Sequence, residues 1–208
     1  MKTNYLKYKI VNQSKENVWG KYNHIKKFKK QKWMKMVKKL DRPRKFYFYR
    51  RPRSNRVLSR QRLLTKQTFK HFYGNLSYAK LKKEYHQIPK TTHLHPIQNL
   101  IISLERRLDV FLFRSGLFPS ILEAKQAIIH KKISVNNQIV SNSNYRMNGG
   151  DFIRIPTSIL STTLRNVPYS QINHALNLLV FLRNPNIQEI RYPFQLNLNF
   201  LTNYLTTK

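Results

Sequence analysis

The chain has 208 residues and sets 40 Lys plus Arg against 8 Asp plus Glu, a formal net charge of +32. Such a chain repels itself unless a polyanion neutralises it, so nucleic acid or an anionic membrane surface is the implied partner. The lack of Cys excludes a disulfide framework and thiolate metal sites. No apolar run approaches the roughly 18 residues a transmembrane helix needs, while 40% apolar content is enough for the cores of one or two domains.

Residues 1–40 are polar and Lys-rich, unlike a secretory signal, and their Lys replaces the Arg and Ser usual in transit peptides. Within "KYNHIKKFKKQKWMKMVKKL" (21–40), Ile25, Phe28, Trp33, Met36, Val37 and Leu40 recur at helix-compatible spacings. Two readings stand: a solvated tail, or an arm that orders on RNA and offers aromatic rings for stacking. The next stretch, "DRPRKFYFYRRPRSNRVLSRQR" (41–62), has prolines that argue against a continuous helix. Arginine forks suit phosphate oxygens, so Arg42, Arg44, Arg50, Arg51 and Arg53 are candidate backbone contacts.

Residues 60–87 read as a helical hairpin. Leu63, Leu64, Phe69, Phe72 and Tyr73 form one apolar face, Gly74 closes the first helix, and Ser77 caps a second carrying Tyr78, Leu81 and Tyr85. Lys66 and Lys70 lie on the first helix and join the candidate RNA contacts. A linker is expected across residues 88–103, with Pro89 and "TTHLHP" at 91–96.

The best-patterned segment is 104–155. Leu104, Leu108, Phe111 and Leu112 fall at i, i+4, i+7 and i+8, predicting a core-facing helix capped by Ser103 and ended by Gly116. A second helix follows, with Ser120 and Glu123 spaced as a capping box. Its expected buried face is Ile121, Ala124 and Ile128, with Ile129 a further candidate. Ile133 and Val135 then alternate with polar residues, and Asn136-Asn137 supply a two-residue hairpin turn before Ile139. "NGGD" (148–151) is a second turn, followed by alternating Phe152, Ile153, Arg154 and Ile155. Two helices and a small twisted sheet are predicted.

Beyond a polar segment at 156–170, "QINHALNLLVFLR" (171–183) reads as an apolar helix through Ile172, Ala175, Leu176, Leu179 and Val180, stopped by Pro185. Residues 192–205 show no clear period.

At this point the residues meet a family. Arg107-Leu108-Asp109, Arg114, Gly116, Ser120, Glu123-Ala124-Lys125, His130-Lys131-Lys132, Val135-Asn136 and Gly150-Asp151 closely resemble the pattern of the S-four RNA-binding module. Asn136-Asn137 stands where that family usually has Asn-Gly, a turn Asn tolerates at some strain. "KQTFKHFYGNLSYAKLKKEYHQ" (66–87) resembles the helical hairpin that precedes the module in the S-four ribosomal protein. "FLRNPNIQEIRYPFQLNLNFL" (181–201) is similar to the tail of its mitochondrion-encoded versions. Together the matches cover roughly residues 60–205.

The resemblance implies an α+β protein in which the module is inserted into a mostly helical lobe built from both flanks. The expected division is a basic extension at 1–40, the first part of the lobe at 41–103, the module at 104–155, and a C-terminal part at 156–208 packing back on the lobe. It further implies a structural constituent of the small ribosomal subunit. The partners would be small-subunit ribosomal RNA, neighbouring ribosomal proteins and mRNA near its entrance, in a mitochondrial or other organellar ribosome. A free S-four-module factor in ribosome rescue or assembly is the rival. The abundance of Lys, Asn, Ile, Tyr and Phe, whose codons are A/T-rich, fits an organellar or parasite genome.

Within the module, Arg106, Arg107, Arg114, Lys125, Gln126, His130, Lys131 and Lys132 are the expected RNA surface, with Arg and Lys on phosphates. The plainer reading of a basic helix end is that it complements the helix dipole. Arg107 and Asp109 alternatively form an internal salt bridge, and Asp109 is expected to be structural. His93-x-His95 has no nearby acid or cysteine, so no metal is expected, and no cofactor, small-molecule substrate or membrane partner. No catalysis is expected: outside 104–155 the only Asp is Asp41, in a basic stretch.

Overall fold

The structure is a computed structural model that describes residues 55–87, 94–155, 165, 167–173, 175–194 and 196–206, with residues 18, 34 and 35. Arg42, Arg44, Arg50, Arg51, Arg53 and nearly all of the basic arm lie outside the described residues. Two compact units are distinguished: residues 82–191, and a second formed by 1–81 with 192–208.

In the unit made from both chain ends, α1 (Asn55–Phe72) is followed by the start of α2 (Tyr78–Gln87), the two helices expected, and from Lys82 onward α2 belongs to the other unit. Gly74 takes φ 76°, closing α1, and Ser77 Oγ accepts the Lys80 N–H at 3.4 Å. Phe69, Phe72, Tyr73 and Leu81 are buried, whereas Leu63 is 49% exposed and does not share the core face expected for it. The tail forms α6 (Leu198–Thr206), packed on α1 through buried Leu201 and Leu205. Tyr192 and Phe194 complete an edge-to-face cluster on Phe72, with centroids 5.3 and 5.7 Å away, and the Tyr192 and Tyr73 hydroxyls are 2.6 Å apart. Such ring pairs contribute about 0.5–1.5 kcal/mol beyond their burial.

The other unit begins with a helix where a linker was expected, α3 (Pro96–Glu105). His95 acts as its N-cap: Nδ1 accepts the Ile97 N–H at 3.4 Å, and Gln98 Oε1 accepts the His95 N–H at 3.2 Å. Pro96 occupies the first turn, where its missing N–H costs nothing. Ile97, Leu100, Ile101 and Leu104 are buried at helical spacing. Leu104 therefore ends one helix and Leu108 starts the next, α4 (Leu108–Arg114), and Ser103 lies inside α3 rather than capping anything.

The helix α5 (Ile121–Ile129) follows as predicted, with Ser120 Oγ accepting the Glu123 N–H at 3.3 Å. Ile121, Ala124, Ala127 and Ile128 are buried, but Ile129 is 54% exposed and falls off the core face. Next come β1 (Ser134–Val135), β2 (Gln138–Ile139) and β3 (Phe152–Arg154). Asn136 and Asn137 turn the β1–β2 hairpin with φ 50° and 64°, the left-handed pair that a tight hairpin requires.

The segment expected as a helix at 171–183 is instead a second hairpin, β4 (Ser170–Asn173) and β5 (Leu178–Phe181). It turns at Asn177, φ 53°, with Asn173 Oδ1 accepting the Leu176 N–H. β5 pairs with β3, giving an antiparallel sheet in the order β2-β1-β3-β5-β4. Val135, Ile153, Leu179 and Ile172 are register partners along one row of the sheet. With buried Phe181 they face the core completed by Leu108, Phe111, Leu112, Ala124 and Ile128. Leu176 is 63% exposed, which no amphipathic helix through 171–183 would allow. The hairpin wins because open β3 needs a partner for its N–H and C=O groups. The architecture is α+β, and only from Tyr192 onward does the C-terminal flank join the N-terminal one.

Candidate nucleic-acid interface

Burial of Ile121, Ala124 and Ile128 fixes the rotation of α5 and leaves Lys125 half-buried and Gln126 exposed. At its C-terminus the helix closes in a Schellman motif: Lys132 N–H donates to Ala127 O at 3.1 Å and Lys131 N–H to Ile128 O at 2.9 Å. Lys131 takes φ 58° to do so. His130, Lys131 and Lys132 are all exposed, so the helix delivers three potential cations to one end. Among the described residues none of them is ion-paired.

Two turns that follow are tied to each other. Asn136 Nδ2 donates to Asp151 Oδ1 at 2.8 Å, and Asn136 Oδ1 accepts the Phe152 N–H at 3.0 Å. Asp151 Oδ2 accepts the Asn148 N–H at 2.7 Å, so one carboxylate fastens both turns. At Gly149 a Cβ would lie 2.9 Å from Leu182 O, so any larger residue pushes the turn off β5.

The arginines behave differently from the lysines. Arg107 is 3% exposed and donates Nε and Nη2 to Asp109 at 3.1 and 2.7 Å. Burial pushes the Asp109 carboxyl up, against the pull of Arg107. Arg114 donates Nε and Nη2 to the buried Glu105 at 2.9 and 2.7 Å, and Nη1 to the Arg191 carbonyl. Arg106 donates to Met147 O at 3.0 Å and to Asn148 Oδ1 at 2.7 Å. Arg107 and Arg114 are thus interior ties rather than members of the outer surface expected for them, and Arg106 holds the second turn.

Four described acids face an arginine: Asp109, Glu105, Glu84 (Arg146, 3.6 Å) and Glu189 (Arg183, 2.6 Å). Four described acids are thus committed to arginine, while His130, Lys131, Lys132 and Arg154 stay exposed with no ion pair among the described residues. Lys66 and Lys70 belong to the other unit and are half-buried; Lys66 Nζ sits 5.1 Å above the Tyr78 ring. Burial, then the Lys70 charge, lowers the Lys66 pKa.

Arg154 was not among the expected contacts, yet it is exposed on the outer sheet face, opposite the row of Ile153. Its alternation with Ile153 and Ile155 was the available signal. Among the described residues no cluster of three His, Asp or Glu is placed to hold a metal ion, and no helix is long and apolar enough to cross a membrane.

Residues 106–153 match the S4 domain family model. The chain is 31% identical over 158 residues to small ribosomal subunit protein uS4m of Reclinomonas americana, covering 68% of this chain and 63% of that protein. It is 30% identical over 152 residues to small ribosomal subunit protein uS4 of Rhodospirillum rubrum, and 31% over 153 residues to that of Orientia tsutsugamushi. These matches cover 68% of this chain and 74% and 73% of the relatives. The resemblance read from Arg107-Leu108-Asp109 through Gly150-Asp151 and from the flanks is borne out, and the chain belongs to the uS4 family of small ribosomal subunit proteins.

Proposed function

We propose that the chain is a structural, non-catalytic constituent of the small ribosomal subunit that binds small-subunit ribosomal RNA. The observation that carries this reading is the open cation cluster His130, Lys131 and Lys132 at the Schellman-closed end of α5, in a chain of net charge +32. Lys125 and Gln126 extend it along the helix, and Arg106 is held at the second turn by Met147 O and Asn148 Oδ1. RNA phosphates supply the missing counter-charge, and binding releases condensed cations, so affinity falls steeply with salt. Arg42, Arg44, Arg50, Arg51, Arg53, Lys66 and Lys70 belong to a second set of backbone contacts in the N-terminal flank.

Within the subunit the chain supports assembly and adjoins neighbouring proteins and the mRNA entrance. Its place is a mitochondrial ribosome, a reading supported by the relative named uS4m and by the abundance of Lys, Asn, Ile, Tyr and Phe, residues with A/T-rich codons. Co-sedimentation tests the role: the chain should stay stoichiometric with small subunits through a wash at physiological salt. Sub-stoichiometric loss on washing would instead favour a free factor in ribosome rescue or assembly. A mass-spectrometric inventory of purified mitochondrial small subunits tests the compartment.

A further inference from the structure

Among the described residues, three helix ends are closed by a residue of positive φ just past the C-cap. After α1 it is Gly74, φ 76°, with the Asn75 N–H on Lys70 O; after α4 it is Gly116, φ 82°, with its N–H on Phe113 O. After α5 it is Lys131, φ 58°. The backbone hydrogen bonds at α1 and α5 follow the same Schellman pattern, so the same conformation is asked of Gly in one place and Lys in the other. For an L-residue with a long side chain the left-handed region brings Cβ against the following carbonyl. Glycine is free of that clash.

Nothing among the described residues compensates Lys131. Its side chain is exposed, no described acid pairs with it, and the hydrogen bonds of the motif come from its backbone, which glycine would keep. A strained residue with no structural return is a signature of function. The same two hydrogen bonds immobilise the backbone from Ala127 to Lys132, so the side chain leaves from a fixed stem between His130 and Lys132.

We propose that Lys131 is an affinity-determining phosphate contact, at which folding stability is given up for a cation that glycine cannot supply. This rests on the RNA-binding reading of the α5 exit and sharpens it to one residue. The dipole-complementing role of a basic helix end is met by His130 and Lys132 without strain, and does not explain why position 131 is not glycine.

The test uses the full chain and an in vitro transcript of its small-subunit ribosomal RNA. Lys131→Gly should melt about 2–6 °C higher than the parent chain, the relief of left-handed strain in a protein of this size. It should also lower the log–log salt slope of RNA binding by about 1, as loss of a single phosphate contact does. Lys131→Asn should lose the same slope with a smaller gain in melting temperature, and Lys131→Arg should keep the slope. A Lys131→Gly chain that binds RNA with an undiminished slope overturns the proposal, as does one that melts no higher than the parent. If Lys132→Ala weakens binding while Lys131→Gly does not, this inference fails and the RNA-binding reading stands. If the parent chain itself shows no salt-dependent binding, both fall.

Discussion

Arg107 and Asp109, two residues apart across the start of α4, close a two-pronged ion pair at 3.1 and 2.7 Å with both side chains buried. The pair belongs to the interior of the module, because neither group reaches solvent. One nitrogen, Nη1 of Arg107, has no partner among the described residues, so the guanidinium depends on Asp109 for nearly all of its compensation.

Breaking this pair should therefore cost stability and not affinity. Asp109→Ala leaves a buried guanidinium unopposed, and such losses are about 3–5 kcal/mol. Denaturant titration should show the drop. RNA affinity, measured where the variant is still folded, should match the parent chain. A variant of normal stability and weak binding would put Arg107 back on the interface.

The two turn asparagines should separate cleanly. Asn136 donates to Asp151 and accepts from Phe152 N–H, so Asn136→Gly should destabilise by about 0.5–1.5 kcal/mol through the hydrogen bonds lost. Asn137 contributes a backbone of φ 64°, and Asn137→Gly should leave the melting temperature unchanged or raise it. Thermal melts of both variants decide the point.

The second hairpin gives a sharper contrast. Leu179 is fully buried and Leu176 is 63% exposed, although a helix through this segment would place both on one face. Leu179→Ala should cost about 2–5 kcal/mol. Leu176→Ser should stay within about 0.5 kcal/mol. Equal losses in chemical denaturation would restore the helix.

Acid should weaken the unit that holds α1. Burial, then the Lys70 charge, holds the His71 pKa below the ordinary histidine value. The unfolded chain therefore binds the proton more readily than the folded one. The stability tied to neutral His71 is present above the unfolded histidine pKa and is lost as pH falls through the folded one. Melting temperature measured from pH 7.5 to 5 should fall, and His71→Gln should flatten that fall.

Much of this was legible in the residues. Period and cap chemistry located α1, α2 and α5, and Asn136-Asn137 located the hairpin, because these are local signals that tertiary contacts did not contradict. What the residues hid was pairing. The apolar run 178–181 fits a helix or a buried strand equally well, and only the open edge of β3 decides between them. His95 escaped notice as a cap because Ser, Thr, Asp and Asn usually fill that role. For the site, a stretch of sequence shows that Arg and Lys are present but not which acids they meet. Arg107 and Arg114 had partners waiting at Asp109 and Glu105, whereas Lys131 and Lys132 had none among the described residues.

The central claim is that the lysines of α5 and its exit, rather than the acid-bound Arg107 and Arg114, meet RNA phosphate. The most direct measurement is the salt dependence of RNA binding by the parent chain and by a Lys125→Ala, Lys131→Ala, Lys132→Ala variant of equal melting temperature. The log–log slope should fall by about 2–3 if these residues each neutralise a phosphate. An unchanged slope in a well-folded variant would contradict the account.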